Sequence, residues 1–526
     1  MQAELPNARL LSVDHLRRAL AFYEPGAYPA ERLQSLRRLG RLLFDMRDWT
    51  GAENALAEAV ELANTGMRTA TDEESQLQQV EDNVNLYSDS AYCLLRLGRI
   101  EAAVLRLEQG KLRRVAARFG HGDAGHILSE LPGALPPGGA AVMFFMTRAG
   151  TAAVIVAAGT NALSAANILW FDNDRESKLH TLIFGKEGWL NSYFQFVPSG
   201  DLRWDDAIEN LTAELWQMLI GPIVERLYAL GVSGGAEVIV FPHGRLAILP
   251  LHCAWRSVDG LRRYALDDFA FSYAPSLRAL ANARHLAAQD ARKGCTLLAV
   301  VNPLGDLPGA LLEGEEAARI FKERGSPPPR ILLGTKASPA AVMAALPQAS
   351  HVLLSCHCYF HWRTPRLSAL KLASGATLSL RELEQLDNCF VNCRLAVLSA
   401  CESGISDVSR TPDEFTSFPA TLLVQGVPGV LSALWQVDDA STAFLISRFF
   451  EYLFDTKTPM SPARALRQAQ LDLFPLREED LDRWALNVEL PVGDGKQQES
   501  RDPGNADGRT FRERPFYWGA LTFNGA

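Results

Sequence analysis

Two short segments of this 526-residue chain end in side chains able to do nucleophilic chemistry. The first is Val352-Leu353-Leu354-Ser355, followed by Cys356-His357-Cys358. The second is Val397-Leu398-Ser399-Ala400, followed by Cys401-Glu402-Ser403-Gly404. A thiol becomes a useful nucleophile near neutral pH only beside a base, and an imidazole is suited to that task. If the two apolar segments are neighbouring strands, His357 and Cys401 face each other across one cleft, the imidazole as base and the sulfur as nucleophile. A tetrahedral intermediate also needs backbone N–H donors at its oxyanion, which the turn after His357, at Cys358, and the amide of Cys401 could supply. Each residue alone has a plainer reading. A histidine at a strand end is commonly structural, and a free cysteine packs as a small hydrophobe.

The rival chemistry is zinc. Cys356, Cys358, Cys389 and Cys393, with His351 or His361, offer thiolate and imidazole ligands. Their Cys-x-Cys and Cys-x3-Cys spacings are not the paired Cys-x2-Cys of zinc sites. On a strand, Cys356 and Cys358 share one face while His357 points to the other, so both thiols and that imidazole make an awkward ligand set. The expectation is a site without metal or organic cofactor.

The elements that must position the two segments follow from hydrophobic periodicity. Mostly apolar runs at 237–241, 297–301, 351–355, 395–399 and 427–435 read as buried strands. Helical patterns separate them, at 311–324, 339–346, 380–386, 418–425 and 439–453. Strands that are near-continuously apolar, alternating with helices, argue for a mostly parallel sheet covered on both faces. Ligand and catalytic groups then lie at the carboxyl ends of the strands. Ahead of this, Ala140–Phe145 and Ala152–Val156 flank Arg148-Ala149-Gly150 as a hairpin, and 205–230 reads as helical.

Residues 8 to about 120 have a different period. Leu33, Leu36, Leu39 and Leu43, then Ala52, Leu56, Ala59 and Leu62, recur at three- and four-residue steps. The small residues Gly40, Ala52 and Ala59 fit the close approach of a tetratricopeptide helix pair, and a second, weaker unit runs from Leu86 to Leu107. Two units are too few for a free-standing solenoid, so this module must pack on the rest of the chain. Residues 493–512 are poor in apolar side chains and read as an exposed loop, and composition does not decide whether it is self-cleaved around Lys496 and Arg501. Pro515-Phe516-Tyr517-Trp518 reads as a final strand.

The formal charge of −9, without a Lys/Arg-rich block, gives no footprint for direct nucleic-acid binding. Met1-Gln2-Ala3-Glu4-Leu5-Pro6 has no basic start and apolar run, and no stretch of roughly 18 apolar residues offers a membrane span. With only eight cysteines, five of them between 356 and 401, reduced thiols in a cytoplasmic protein are expected rather than a disulfide scaffold.

The ordered motifs resemble the CHAT domain family, caspase-related peptidases that occur with tetratricopeptide repeats. The resemblance rests on Leu353–Cys358, on Leu398–Gly404, and on the block Gly426-Val427-Pro428-Gly429 through Leu434-Trp435-Gln436-Val437-Asp438-Asp439. Phe241–Leu246, Tyr273–Ser276, Asn302-Pro303, Leu307–Ala310 with Glu315-Glu316, and Ala465–Gln470 add to it. It spans about 130 to the C-terminus. It implies a caspase-like α/β fold, and with the periodicity above divides the chain into a helical module (1–129), a degenerate caspase-like half (130–290) and a catalytic half (291–526). His357 also precedes Cys401 by close to the ~50 residues typical of caspases.

By this resemblance His357 and Cys401 form a dyad that cleaves a partner protein, and the helical module receives a regulatory protein or ribonucleoprotein in a prokaryotic defence or signalling system. Asp439, with Asp438 beside it, matches the position where the related separases bind a basic side chain, which implies Arg or Lys at the cleavage site; capping of the following helix is the plainer role for either. Cys358 stands where the family has glycine, and Ser403 where it has threonine. The alternatives are an adaptor whose site has decayed, or a regulated subunit of an RNA-guided effector.

Overall fold

The computed structural model describes residues 4–115, 124–171, 175–199, 203–289, 295–408, 410–488 and 509–526. The chain opens with six helices: α1 (Glu4–Phe22), α2 (Pro29–Asp45), α3 (Trp49–Thr69), α4 (Glu73–Asp82), α5 (Leu86–Arg96) and α6 (Ile100–Gln109). The small residues work as their spacing predicts. A Cβ on Gly40 would sit 2.5 Å from a Leu56 methyl, so α2 and α3 touch there only because residue 40 has none. Ala52 and Ala59 are fully buried in the same seam. The Asp48 carboxylate accepts from the Gly51 amide and caps α3.

Eleven strands form one sheet, labelled in chain order: β1 (Ala140–Thr147), β2 (Gly150–Ala157), β3 (Ile168–Phe171), β4 (Glu237–Phe241), β5 (Ala270–Tyr273), β6 (Leu297–Val301), β7 (Arg330–Leu333), β8 (His351–Ser355), β9 (Leu395–Ser399), β10 (Gly429–Ala433) and β11 (Leu521–Gly525). Their order across the sheet is β3-β2-β1-β4-β5-β11-β10-β9-β8-β6-β7. Seven of the ten neighbouring pairs are parallel; β1–β2, β2–β3 and β10–β11 are antiparallel. The C-terminal strand β11 therefore joins the strands drawn from 140–273 to those drawn from 297–433.

Strand period decides what covers each face. Along β1, Ala140, Val142 and Phe144 enter a core built with helices of residues 175–227 and 439–481. Ala141, Met143 and Phe145 enter the opposite core, with Leu36, Leu39, Phe44, Tyr92 and Leu95 of the helical module. The module thus covers one face of this half-sheet, as its short length requires. Under β6, β8 and β9, Val300, Val352, Leu354, Ala396 and Leu398 form a third core.

Two expectations from sequence need correction or limits. Pro515–Tyr517 is a 3-10 turn rather than a strand: Trp518 is fully buried and donates its indole N–H to the Phe511 carbonyl, and the strand starts at Leu521. The expected exposed loop lies outside the described residues over 493–508, while Phe511, at its end, is buried. Among the described residues no helix is long and apolar enough to cross a membrane.

Candidate active site

β8 and β9 are parallel neighbours in register, with Ser355 opposite Ser399. His357 and Cys401 each lie two residues past that pair, so the topology sets them at adjacent strand tips. β6 flanks β8 on its other side, with Val301 opposite Ser355. The turn after β6 carries Asp306, whose Oδ1 is 3.0 Å from His357 Nε2. Asn302 shapes this turn: it sits at φ +44°, and its side-chain oxygen accepts from the Leu307 amide. Three consecutive strands in the sheet thus end in Cys401, His357 and Asp306. A carboxylate only accepts hydrogen bonds, so Asp306 in that form takes the Nε2–H of His357 and leaves Nδ1 as the nitrogen that can accept a proton.

Among the described residues no hydrogen bond joins His357 to Cys401. Burial pushes the Cys401 thiol up to about 11, against the opposing pull of the Val437 amide; the nearby Glu402 and Asp439 charges push it further up. The resting thiol is therefore protonated at neutral pH, and proton transfer must accompany attack. Catalytic hydrogen bonds that are open in the free state and close with substrate fit this arrangement.

The chain around Cys401 is tightly held. Ser403 Oγ accepts from the Ala433 amide, and the Gly404 amide donates to the Ala433 carbonyl at 2.7 Å. Glu402 adopts φ +60°, and its two oxygens go to different elements. Oε2 accepts from the Phe360 amide at 2.7 Å, and Oε1 accepts from the Tyr193 hydroxyl at 2.5 Å. Glu402 thereby ties the segment after His357 to the cysteine turn and to the helix Trp189–Ser199. Cys358 occupies the short strand Cys358–Tyr359, paired to Ala369–Lys371, with its thiol in the apolar core. Its φ is not among the positive ones, so the side chain in place of the family's glycine costs no left-handed strain there.

The two aspartates divide their tasks. Asp438 accepts from the Ser441 amide and caps the helix Asp439–Leu453, the plainer of its two expected roles. The Asp439 carboxylate accepts from the Gly309 amide at 3.3 Å. Burial raises its pKa, while the Gly309 N–H and the neighbouring His357 charge oppose that rise. A Cβ at position 309 would lie 2.4 Å from Asp439 Cβ, so only glycine lets this carboxylate stand beside the strand tips.

A further carboxyl lies beneath the site. Glu313, on the helix Pro308–Glu323, is 3% exposed. Its Oε1 accepts from Ser399 Oγ at 2.8 Å, and Oε2 has no partner among the described residues. Burial pushes its pKa up to about 8, with Ser355 and Ser399 opposing. The folded chain therefore keeps this proton when the unfolded chain has lost it. Its stabilising effect is complete below the ordinary carboxyl value of 4.5 and is lost as pH rises towards about 8. At ~1.4 kcal/mol per tenfold change in proton affinity, the loss is of the order of a few kcal/mol. Glu313→Gln removes the titration and keeps the shape. We expect its melting temperature to match wild type near pH 5 and exceed it by about 2–4 °C above pH 8, read by calorimetry. Equal melting at both pH values would mean the carboxyl is not held neutral.

The family model of the CHAT domain matches residues 209–526. No curated protein matches the chain in sequence. Among solved structures it is similar to separase in two crystal structures of the separase–securin complex of Saccharomyces cerevisiae. One aligns with a TM-score of 0.50 at 10% identity, the other with 0.45 at 11%. Each alignment covers 91% of this chain and 37% of the separase chain, so this chain spans well under half the length of that protein. At such identity the likeness is one of fold: a large, mostly parallel caspase-like sheet flanked by helices, preceded by an all-helical region.

Proposed function

The chain belongs to the CHAT domain family, and on that footing we propose that it is a cysteine endopeptidase that cuts a partner protein with Cys401 and His357. The observation that carries this reading is the sheet order, in which β9, β8 and β6 deliver thiol, imidazole and carboxylate side by side. In this mechanism Asp306 holds Nε2–H of His357. Nδ1 takes the Cys401 proton as the sulfur attacks the scissile carbonyl, and the oxyanion forms against the amides of Cys358 and Cys401. His357 then protonates the leaving amine. Water, deprotonated by the same imidazole, hydrolyses the thioester. No metal or organic cofactor enters any step.

Asp439 is the group suited to a basic P1 side chain, since a partly buried carboxylate binds a guanidinium through charge-assisted hydrogen bonds. Asp438, already spent on its helix cap, adds negative charge beside it. The reading is of a peptidase silent until a regulatory partner engages it, in a defence or signalling setting. The second reading, a scaffold without turnover, draws on the open, protonated state of the resting dyad.

The test is a survey of new protein N-termini in cells making the wild-type chain, Cys401→Ala or Asp439→Asn. Wild type should generate N-termini preceded by Arg or Lys. Cys401→Ala should generate none, and Asp439→Asn should lower their yield ~10-fold or more, an ion pair in a desolvated pocket being worth 2–5 kcal/mol when one partner is cut. Cleavage sites without a basic residue, or an Asp439→Asn profile like wild type, would remove Asp439 from the specificity role.

A further inference from the structure

The helical module holds a second polar cleft, remote in sequence from the strand tips. It has a volume of about 350 Å³ and lies between α2, the turn linking α4 to α5, and the β1–β2 turn. Arg37, Arg38, Arg41 and Arg148 line it, against Asp82 and Asp89. Arg148 is already neutralised: its guanidinium donates to Asp45 at 2.6 Å and to Asp89 at 2.7 Å. That leaves the three arginines of α2, of which Arg38 and Arg41 are exposed, with Asp82 attracting Arg37 and Asp89 attracting Arg41 at longer range. Among the described residues none of their guanidinium groups has a hydrogen bond or a carboxylate at ion-pair distance. Arg37 is half-buried, and burial lowers its pKa against the pull of Asp82. Arg37 and Arg41, four residues apart, share one helix face, where like charges cost a few tenths of a kcal/mol. Three clustered arginines, one partly desolvated and none paired, are an arrangement that an anionic ligand relieves.

We propose that this cleft is a binding site for an acidic peptide segment of a partner protein, with Glu or Asp side chains paired to Arg37, Arg38 and Arg41. A peptide fits better than a nucleic acid. Among the described residues no aromatic side chain lines the cleft to stack a base, and separate arginines suit discrete carboxylates. The volume suits two or three side chains.

The wall of the cleft also reaches the chain that follows the cysteine segment, at residues 410–414. The same turn, at Asn83 and Val84, lines a small adjoining cavity whose other side is Thr411, Pro412 and Asp413. Glu81, at the end of α4, is paired to Arg410 at 2.7 Å. After α6, the Leu112 amide donates to the Asp413 carbonyl, and the Arg113 and Arg114 amides donate to the buried Glu414 carboxylate at 2.9 and 3.1 Å. A peptide that reseats the turn therefore moves residues 410–414, about ten positions beyond Cys401. Binding itself is independent of the peptidase reading; only this regulatory consequence rests on it.

The experiment uses the full chain and a fluorescein-labelled hexaglutamate peptide, read by anisotropy at low and moderate salt. Saturable binding is expected, weakened at least 10-fold by Arg37→Gln/Arg41→Gln. It should change less than 2-fold in Arg17→Gln/Arg18→Gln, which removes the same charge from the exposed face of α1. Absence of saturable binding, equal loss in both variants, or preference for a labelled oligouridine over the peptide would each overturn the site. Deuterium uptake over 410–416 should change on peptide addition in wild type and not in Arg37→Gln/Arg41→Gln. Unchanged uptake in wild type would overturn the coupling while leaving the binding result intact.

Discussion

Cys401→Ala is expected to reduce cleavage of the partner substrate by ~10⁴-fold or more, to the rate of the buffer, and His357→Ala to do almost the same, because members of a nucleophile–base pair act as a unit. The free chain adds a sharper expectation. With its thiol at about 11, only on the order of one molecule in ten thousand carries a thiolate near pH 7. Alkylation of Cys401 by iodoacetamide should therefore be slow at neutral pH and rise roughly tenfold per pH unit across the alkaline range. Because the imidazole does not hydrogen-bond to the sulfur at rest, His357→Ala should leave that alkylation rate within ~3-fold of wild type while abolishing cleavage. An imidazole already paired with the thiolate would instead make the free enzyme react fast at neutral pH and the histidine variant slow. Cleavage that survives in Cys401→Ala sinks the assignment outright, whatever the alkylation shows.

The parts of this site that are legible in the sequence are those with a pattern. β6, β8 and β9 are short runs, apolar but for His351, Ser355 and Ser399, and such runs alternating with helical patterns read as strands buried on both faces. The carboxyl-end rule then points to the residues just past each strand, and for β8 and β9 these are unusual ones, His357 and Cys401. β6 ends in Asn302-Pro303-Leu304-Gly305-Asp306, where an aspartate looks like any turn residue. Only the sheet order, which puts β6 beside β8, singles Asp306 out. Glu313 is hidden for a related reason. It sits on a helix with Glu315, Glu316 and Glu323, and helical spacing does not reveal which of the four lies under the strand tips. The tail defeats the pattern because Phe516, Tyr517 and Trp518 have strand propensity; in the fold their aromatic rings seal the core from a turn, with Trp435 donating its indole N–H to the Phe516 carbonyl.

Glu402 belongs to the legible motif without a legible role, and its geometry gives one whose loss should be nearly as costly as that of the dyad. It spends both oxygens on hydrogen bonds, one to the amide two residues beyond Cys358 and one to Tyr193. The Phe360 bond sets how the segment after His357 lies against the cysteine turn, and hence whether the Cys358 and Cys401 amides converge on one oxyanion. Losing the alignment of one such donor costs ~10²–10³ in turnover. Glu402→Ala should therefore lower kcat by about that factor with little change in KM. Glu402→Gln should be only partly better, since its amide nitrogen cannot accept from a second donor. Tyr193→Phe spares the Phe360 bond and should lose less than ~10-fold. A residue that merely held the fold together would behave differently. Its loss would show as a fall in melting temperature shared by Glu402→Ala and Tyr193→Phe, with kcat restored by cooling. If turnover instead tracks folded fraction across the three variants, Glu402 is a brace and the oxyanion donors are aligned by other contacts; if kcat collapses in a chain that melts like wild type, the carboxylate sets the geometry in which the thioester forms.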